Sequence, residues 1–319
     1  VTMSKYQRAI LPYSFIVGQD DLRLALRISY VDPGIGVLAT GGRGTAKSTT
    51  IRAFSLMAYD DLPVTLPIGA TEDRVLGGLS VEALLRGESD WQDGLLEQAS
   101  KSKARLLYID EVNLLDDHLV NIILDAASTG ILEVQRDHVN QRPIPVSFAL
   151  VGSMNPEEGG LRPQLLDRFG LVVTMRADND AQHRAAVLQN VLTFEEEATK
   201  PQSSVLETIR QRNLREAVVL GKARDRRASV TIKHAMDACA KVAAEFELVG
   251  HRGEIMLLRA ARAIAALEGD SVVGDDHIRA AARLALVHRR HSAESGTLVS
   301  WSEDDDVRVQ RALDDRRAI

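Results

Sequence analysis

A single cysteine, Cys239, in 319 residues excludes an intramolecular disulfide. It lies in DACAKVAA, a stretch of helical composition, and is expected to be a small buried core residue. Aromatic residues are only 4% of the chain. Ala, Leu and Val carry most of the apolar weight, which suits helices packed on a parallel sheet. No apolar run approaches the ~18–20 residues that a membrane-spanning helix needs. The opening residues, VTMSKYQRAI, lack the apolar stretch of a signal peptide, so a cytoplasmic location is expected. An excess of basic charge is missing too. With 39 Lys and Arg against 45 Asp and Glu, the net charge is −6. That balance argues against a surface built to track nucleic-acid phosphates. There is no internal repeat and no low-complexity tract.

What remains is an ordinary globular composition, 45% apolar and 26% charged, with room for one large or two medium domains. LRLALRISY (22–30) has helical spacing and is stopped by Val31-Asp32-Pro33-Gly34. Short apolar runs at Gly36–Thr40, Leu106–Ile109, Phe148–Gly152 and Gly170–Met175 suit buried strands. Helical stretches separate them, one of them at 47–58, which predicts a parallel α/β sheet with helices on both faces. Beyond about residue 180 the chain turns Ala-, Leu- and Arg-rich. Residues 181–192 and 203–290 have helical periodicity and no convincing strand. The expected division is an α/β domain over 1–180, a linker over 181–202, an all-helical domain over 203–292 and an acidic tail over 293–319. The tail reads as a solvated end.

The chemistry starts at GGRGTAKST, residues 41–49. It follows a strand and precedes a helix, the setting of a phosphate-binding loop. Gly41, Gly42 and Gly44 free the backbone to turn N–H groups toward phosphates, with Arg43, Thr45 and Ala46 between and after them. Lys47 is placed to reach the terminal phosphates and Ser48 to ligate Mg²⁺. Thr49 opens a helix whose N-terminus favours anions. Ala46 stands where the usual pattern has glycine. A helical backbone there would tolerate its methyl group; a positive φ would strain it by about 1 kcal/mol or more.

A second motif answers the first. The strand Leu106–Ile109 ends in Asp110-Glu111. In this sheet class such an end lies beside the phosphate loop, where Asp110 can hold Mg²⁺ and Glu111 can orient the attacking water. A third strand ends at Asn155, whose amide can bond the lytic water or the γ-phosphate. Asn before Pro156 is also an ordinary turn former.

Several long stretches share a more specific likeness. TEDRVLGGLSVE, GLLEQAS, LLYIDEVNLLDDHLVNIILDAASTG, VGSMNPEEGGLRPQLLDRFG and HRGEIMLLRAARAIAALEG occur in this order. Together they resemble the ATPase (I) subunit of magnesium chelatase, an AAA+ family related to MoxR-type ATPases, over about residues 12–290. The resemblance implies an AAA+ P-loop domain followed by a helical lid, and the use of ATP and Mg²⁺. It implies a homo-oligomeric ring, of six copies in the family. It also implies a partner with an integrin-like (von Willebrand A) metal-binding domain, and metal insertion into a tetrapyrrole by a separate subunit. Residue by residue, it sets Ile16, Val17 and Gly18 beside the adenine and makes Asn155 the first sensor. Arg168, in LLDRFG, becomes the arginine finger that reaches the neighbouring subunit's γ-phosphate. Arg252, in HRGE, becomes the second sensor; a surface ion pair is the plain alternative for each arginine.

Two features depart from the magnesium-chelatase pattern. MoxR-type loops often carry alanine at the position of Ala46. The insertion that family members usually have before Leu66-Pro67-Ile68-Gly69 is reduced here to Tyr59–Thr65. Both lean toward an alternative, a MoxR-like chaperone that matures another protein. A nucleic-acid translocase is a further alternative, disfavoured by the charge. Residues 77–100 and 130–146 are expected to hold the extra hairpins of this AAA+ branch. His288-Arg289-Arg290-His291 reads as a solvated basic helix end rather than a metal site. The basic cluster Lys222–Arg227 reads as a solvated face or a contact with a neighbouring subunit.

Overall fold

The computed structural model describes residues 9–79, 86, 91–133, 143–176, 179–200, 202–290 and 300–315. Its centre is a five-stranded parallel sheet made of β1 (Val37–Thr40), β2 (Val64–Leu66), β5 (Leu106–Ile109), β8 (Ala149–Met154) and β9 (Leu171–Thr174), in the order β2-β5-β8-β1-β9. VLAT, LLYI and ALVGSM are buried along their whole length, as strands covered on both faces must be. Alternate residues serve opposite faces. Val37, Ala39, Leu106, Tyr108, Val151 and Val173 join one core. Leu38, Leu107, Ile109, Leu150 and Val172 join the other.

Four helices flank the sheet: α1 (Asp20–Val31), α2 (Lys47–Tyr59), α4 (Leu95–Lys101) and α5 (Asp117–Thr129). Helix α5 starts where the Asp116 carboxylate accepts the His118 N–H at 2.8 Å, and stops at Gly130, whose φ of 74° is a left-handed cap. Smaller elements complete this part: α3 (Glu72–Leu76), α6 (Pro163–Leu166), and two antiparallel pairs, β3 (Gly77–Leu79) with β4 (Trp91–Asp93) and β6 (Ile131–Leu132) with β7 (Ile144–Pro145). The pairs fall in the two segments expected to hold hairpins. Their connecting residues, 80–85, 87–90 and 134–142, lie outside the described residues.

The second half is helical: α7 (Ala181–Ala198), α8 (Ser204–Arg226), α9 (Lys233–Glu245), α10 (Arg252–Glu268), α11 (Asp275–Ala285) and α12 (Glu303–Asp314). The stretch set aside as a linker is thus mostly one 18-residue helix, α7. Its starting Asp180 carboxylate accepts the N–H groups of Gln182 and His183.

The lid helices share one continuous core with the α1 face of the sheet. Leu22, Ala25 and Leu26 of α1 belong to the same buried cluster as Leu257, Ala261 and Ile264 of α10. Ion pairs reinforce that join. Asp32, 4% exposed at its side chain, receives Arg259 at 2.5 Å and Arg227 at 3.1 Å. Asp21 receives Arg283 at 2.8 Å. The basic cluster at 222–227 is therefore partly internal, since Arg224 also lies over the Tyr30 ring at 5.3 Å.

The tail is a larger departure from expectation. Residues 293–299 and 316–319 lie outside the described residues, but α12 is not a solvated end. Ser302 and Asp305 form a capping box at its start, and Val309 and Leu313 enter the main core. Asp305 is an ion-pair partner of Arg290, both side chains being under 10% exposed. Trp301 stacks on Phe246 of the lid with ring centroids 5.6 Å apart. The acidic residues mislead because they crowd the first turn of α12, where they complement the positive end of the helix dipole, while its apolar residues form the buried stripe.

Candidate functional site

The strand order sets β8 between β5 and β1, so three adjacent strands end together. Beyond β1 comes the 41–49 loop, beyond β5 the Asp110-Glu111 pair, and beyond β8 Asn155. The loop, the acid pair and Asn155 therefore converge on one crevice at the carboxyl ends of parallel strands, where α/β proteins bind ligands.

The loop is tightly built. A Cβ on Gly41 would come 2.5 Å from the Met175 carbonyl, so no other residue fits between β1 and the end of β9. Gly44 has φ +77°. Ala46 has φ 62° and ψ 20°, so the strained case of the two considered for it is the one that occurs. Lys47 donates to the carbonyls of Gly41 at 2.5 Å and Gly42 at 3.0 Å, which holds its ammonium inside the loop. The Thr45 hydroxyl donates to Gly42 O at 2.9 Å. Arg43 points out of the loop and donates to the Glu158 carboxylate at 2.5 and 3.0 Å.

Beneath the loop lies a network that sequence reasoning missed. The buried Tyr108 phenol donates to Asp110 Oδ1 at 2.8 Å and accepts from Ser48 Oγ, also at 2.8 Å. Ser153 donates to the same Asp110 oxygen at 2.9 Å. Burial pushes the Tyr108 phenol up to about 12, so it stays protonated and able to donate. The signal was present in the strands. Tyr108 and Asp110 are two apart and share a face, and the β5–β8 register pairs Ile109 with Gly152, which brings Asp110 beside Ser153. Ser48 and Asp110 are hard oxygen donors one hydroxyl apart, a set that fits Mg²⁺ better than a softer ion.

Glu111 has φ 54°, an uncommon conformation for a non-glycine residue. Its carboxylate accepts the Asn155 N–H at 2.7 Å. The Asn155 side chain accepts the Glu157 N–H at 3.3 Å and donates to Glu158 at 3.4 Å. It is thus both a turn former and a neighbour of the acid pair.

Ile16, Val17 and Gly18 line a cleft of about 590 Å³ with Gly44, Thr45 and Thr49. Gln19 braces the two sides by donating to Thr45 O at 3.3 Å. The far wall is Arg176, His183, Val187 and Leu188, none of them singled out from the sequence. They come from the end of β9 and from α7, in the stretch where the sequence predicts a linker.

Arg168 and Arg252 stand apart from this crevice. They form one corner, where Arg168 donates to Asp125 at 2.6 Å and Arg252 to Asp167 at 2.8 Å. Residues 167–170 enter β9 from the end opposite the phosphate loop, because Leu171 pairs with Val37 and Thr174 with Thr40. Four residues of strand separate the two ends by about 13 Å. Asp125 lies eight residues along α5, about 12 Å back from the acid pair's end of the sheet.

Among the described residues, one other group has the makings of a metal site: Glu268, Asp270 and His277. His277 Nδ1 accepts the Gly274 N–H at 2.9 Å, which leaves the ring proton on Nε2, facing Glu268 at 3.0 Å and Asp270 at 3.1 Å. The nitrogen that would bind metal is a donor, and the group is a helix cap. No described helix is long and apolar enough to cross a membrane.

A phosphate loop and acid pair on this sheet, followed by a helical lid, define an AAA+ ATPase. Residues 36–169 match the AAA domain of the dynein-related subfamily, and residues 236–309 match the AAA lid domain, which carries the lid through most of α12. The chain is 40% identical to the magnesium-chelatase 38 kDa subunit of Rhodobacter capsulatus over 88% of each chain. It is also 41% identical over 88% of its length to an uncharacterised protein of Mycobacterium tuberculosis, of which the match spans 44%. A putative ATPase from Cytophaga hutchinsonii, 17% identical, shares the fold with a TM-score of 0.64 over 96% of this chain and 92% of its own. The chain belongs to the magnesium-chelatase I (38 kDa) subunit family of AAA+ ATPases.

Proposed function

We propose that this chain hydrolyses MgATP at the contact between neighbouring copies in a ring, six in the family, and that the cycle drives a conformational change in a partner. Gly41–Thr49 would cradle the phosphates, Lys47 would meet the terminal ones, and Ser48 and Asp110 would hold Mg²⁺. That ion, when bound, neutralises charge that develops on the phosphoryl oxygens. Glu111 would orient the attacking water, with Asn155 as its neighbour. Ile16, Val17 and Gly18 would flank the adenine.

The observation that carries the shared site is the corner holding Arg168 and Arg252. It lies at the far end of the sheet from the chain's own phosphate loop, which leaves a neighbour's nucleotide as the target for both. Two arginines there would stabilise charge on the transferring phosphoryl group. The test is an Arg168→Ala protein. Nucleotide affinity should persist while kcat falls at least about 10²-fold, toward the range known for arginine fingers. Wild-type specific activity should also rise with protein concentration. An R168A protein that hydrolyses ATP at the wild-type rate would sink the reading.

Membership of the family supports a partner with an integrin-like metal-binding domain and a role in metal insertion into a tetrapyrrole, performed elsewhere. The short connection between α2 and β2, with only residues 60–63 between them, supports the second reading, a MoxR-like chaperone. Affinity purification with Glu111→Gln, which should retain ATP and partner, separates the two by the protein it captures. Cytoplasmic location is part of the same proposal.

A further inference from the structure

The sequence HRRH at 288–291 was expected to be a solvated basic end. His291 lies outside the described residues, and the other three are not solvated. His288 is 5% exposed and Arg290 is 8% exposed, while the Arg289 side chain is 4% exposed. Arg289 follows α11 and turns into the corner described above. Its Nε donates to Asp167 Oδ1 at 2.9 Å. Its Nη2 donates to the carbonyls of Asp167 and Phe169, both at 2.7 Å, and its Nη1 to Gly170 O at 3.1 Å and to Ala285 O. His288 adds a bond from Nε2 to Phe169 O at 3.2 Å.

One guanidinium thus fills the carbonyls on both sides of Arg168 and one oxygen of the Asp167 carboxylate. The other oxygen of that carboxylate holds Arg252. Arg168 and Arg252 remain 31% and 48% exposed at their side chains, in front of the buried Arg289. Burial lowers Arg289 to about 10, and it stays charged at neutral pH. Only a planar fork with five donors can bond four backbone carbonyls and a carboxylate together; a lysine brings the charge but not the fork.

We propose that Arg289 is a positioning residue for ATP hydrolysis in the neighbouring subunit. It fixes the Asp167–Gly170 turn, and through the shared Asp167 it sets Arg168 and Arg252 at one spacing and one angle. It also makes the end of the lid part of that turn, so the arginine pair follows the lid as one body. This inference rests on the shared-site reading above. Its signature is directional: a defect at Arg289 damages the partner's site and spares its own.

The test is an ATPase measurement on mixed assemblies. Arg289→Lys keeps a buried cation beside Asp167 but loses the fork. R289K should bind a fluorescent ATP analogue with wild-type Kd, while its kcat falls about 10- to 100-fold, as expected for a misplaced catalytic group. It is then mixed with Glu111→Gln, whose own site is dead but whose arginine corner is intact. At equal amounts, about one contact in four sets an R289K site against an E111Q corner, so the mixture should recover about a quarter of wild-type activity. Arg168→Ala mixed with E111Q is the control. If that mixture fails to recover, the shared-site reading is wrong whatever Arg289 does. If it recovers and the R289K mixture stays at the mean of its components, Arg289 is not a positioning residue for the neighbour. R289K at wild-type kcat, or R289K without nucleotide affinity, overturns the proposal too, the latter because Arg289 would then support the chain as a whole.

Discussion

At position 46 a methyl group sits on a left-handed backbone, with φ 62° and ψ 20°. For an L-residue this conformation costs about 1–2 kcal/mol, and glycine removes the cost. Part of the gain is offset by the extra freedom glycine brings to the unfolded chain, about 0.4–1 kcal/mol. Ala46→Gly should therefore stabilise the protein by up to about 1 kcal/mol, read as a Tm rise of about 2 °C. Tyr108 makes a different residue-scale case. Among the described residues its hydroxyl is what links Ser48 to Asp110, and Tyr108→Phe removes that link while keeping the ring. Losing one net hydrogen bond of about 1 kcal/mol should raise the Mg²⁺ concentration for half-maximal ATPase activity about fivefold. An unchanged Mg²⁺ curve would mean that Ser48 and Asp110 are set without it. The phosphate loop and acid pair were legible in sequence because their chemistry demands fixed residue types at fixed places. Tyr108 and Ser153 were not, since one polar residue inside an apolar strand reads as a core position until the register shows what it faces.

At the scale of elements, four of the five strands of the parallel sheet were legible from their apolar runs. The edge strand Val64–Leu66 was not, because three residues with a half-buried pattern carry too little periodicity. Helix α7 was half legible: its periodicity was visible, but its largely exposed surface made it look like a connector. The wall it gives to the cleft beside the phosphate loop depends on where β9 ends, which only the fold reveals. Helix α12 was hidden by four acids in its first turn. Its attachment is testable through Asp305. Removing one partner of a buried ion pair leaves the other charge uncompensated, so Asp305→Ala should destabilise the protein by about 3 kcal/mol, measured by chemical denaturation. A loss under about 0.5 kcal/mol would mark α12 as an ornament rather than part of the lid.

For the whole molecule, pH acts through the join between lid and sheet. His288 is held well below its ordinary pKa, first by burial and then by the charge of Arg289. The unfolded chain therefore takes up a proton near pH 6.5 that the folded chain refuses. Stability contributed by neutral His288 is intact above that pH and declines as pH falls below it. Thermal unfolding between pH 7.5 and 5.5 should show a steeper decline for the wild type than for His288→Gln. Parallel curves would show that other groups carry the acid sensitivity.

The separation of the phosphate loop from the arginine corner also gives the molecule two unlike faces; in the proposed ring one would hold a nucleotide and the other would complete a neighbour's site. Such contacts join head to tail, so an assembly built on them has a direction of travel around it and no mirror-image alternative. In an open arc the first and last copies would each have one face unused, one a site without arginines and the other arginines without a site. Closure alone makes every copy equivalent. Turnover per chain should then report the fraction of sites that face a neighbour's arginines, before any partner is added.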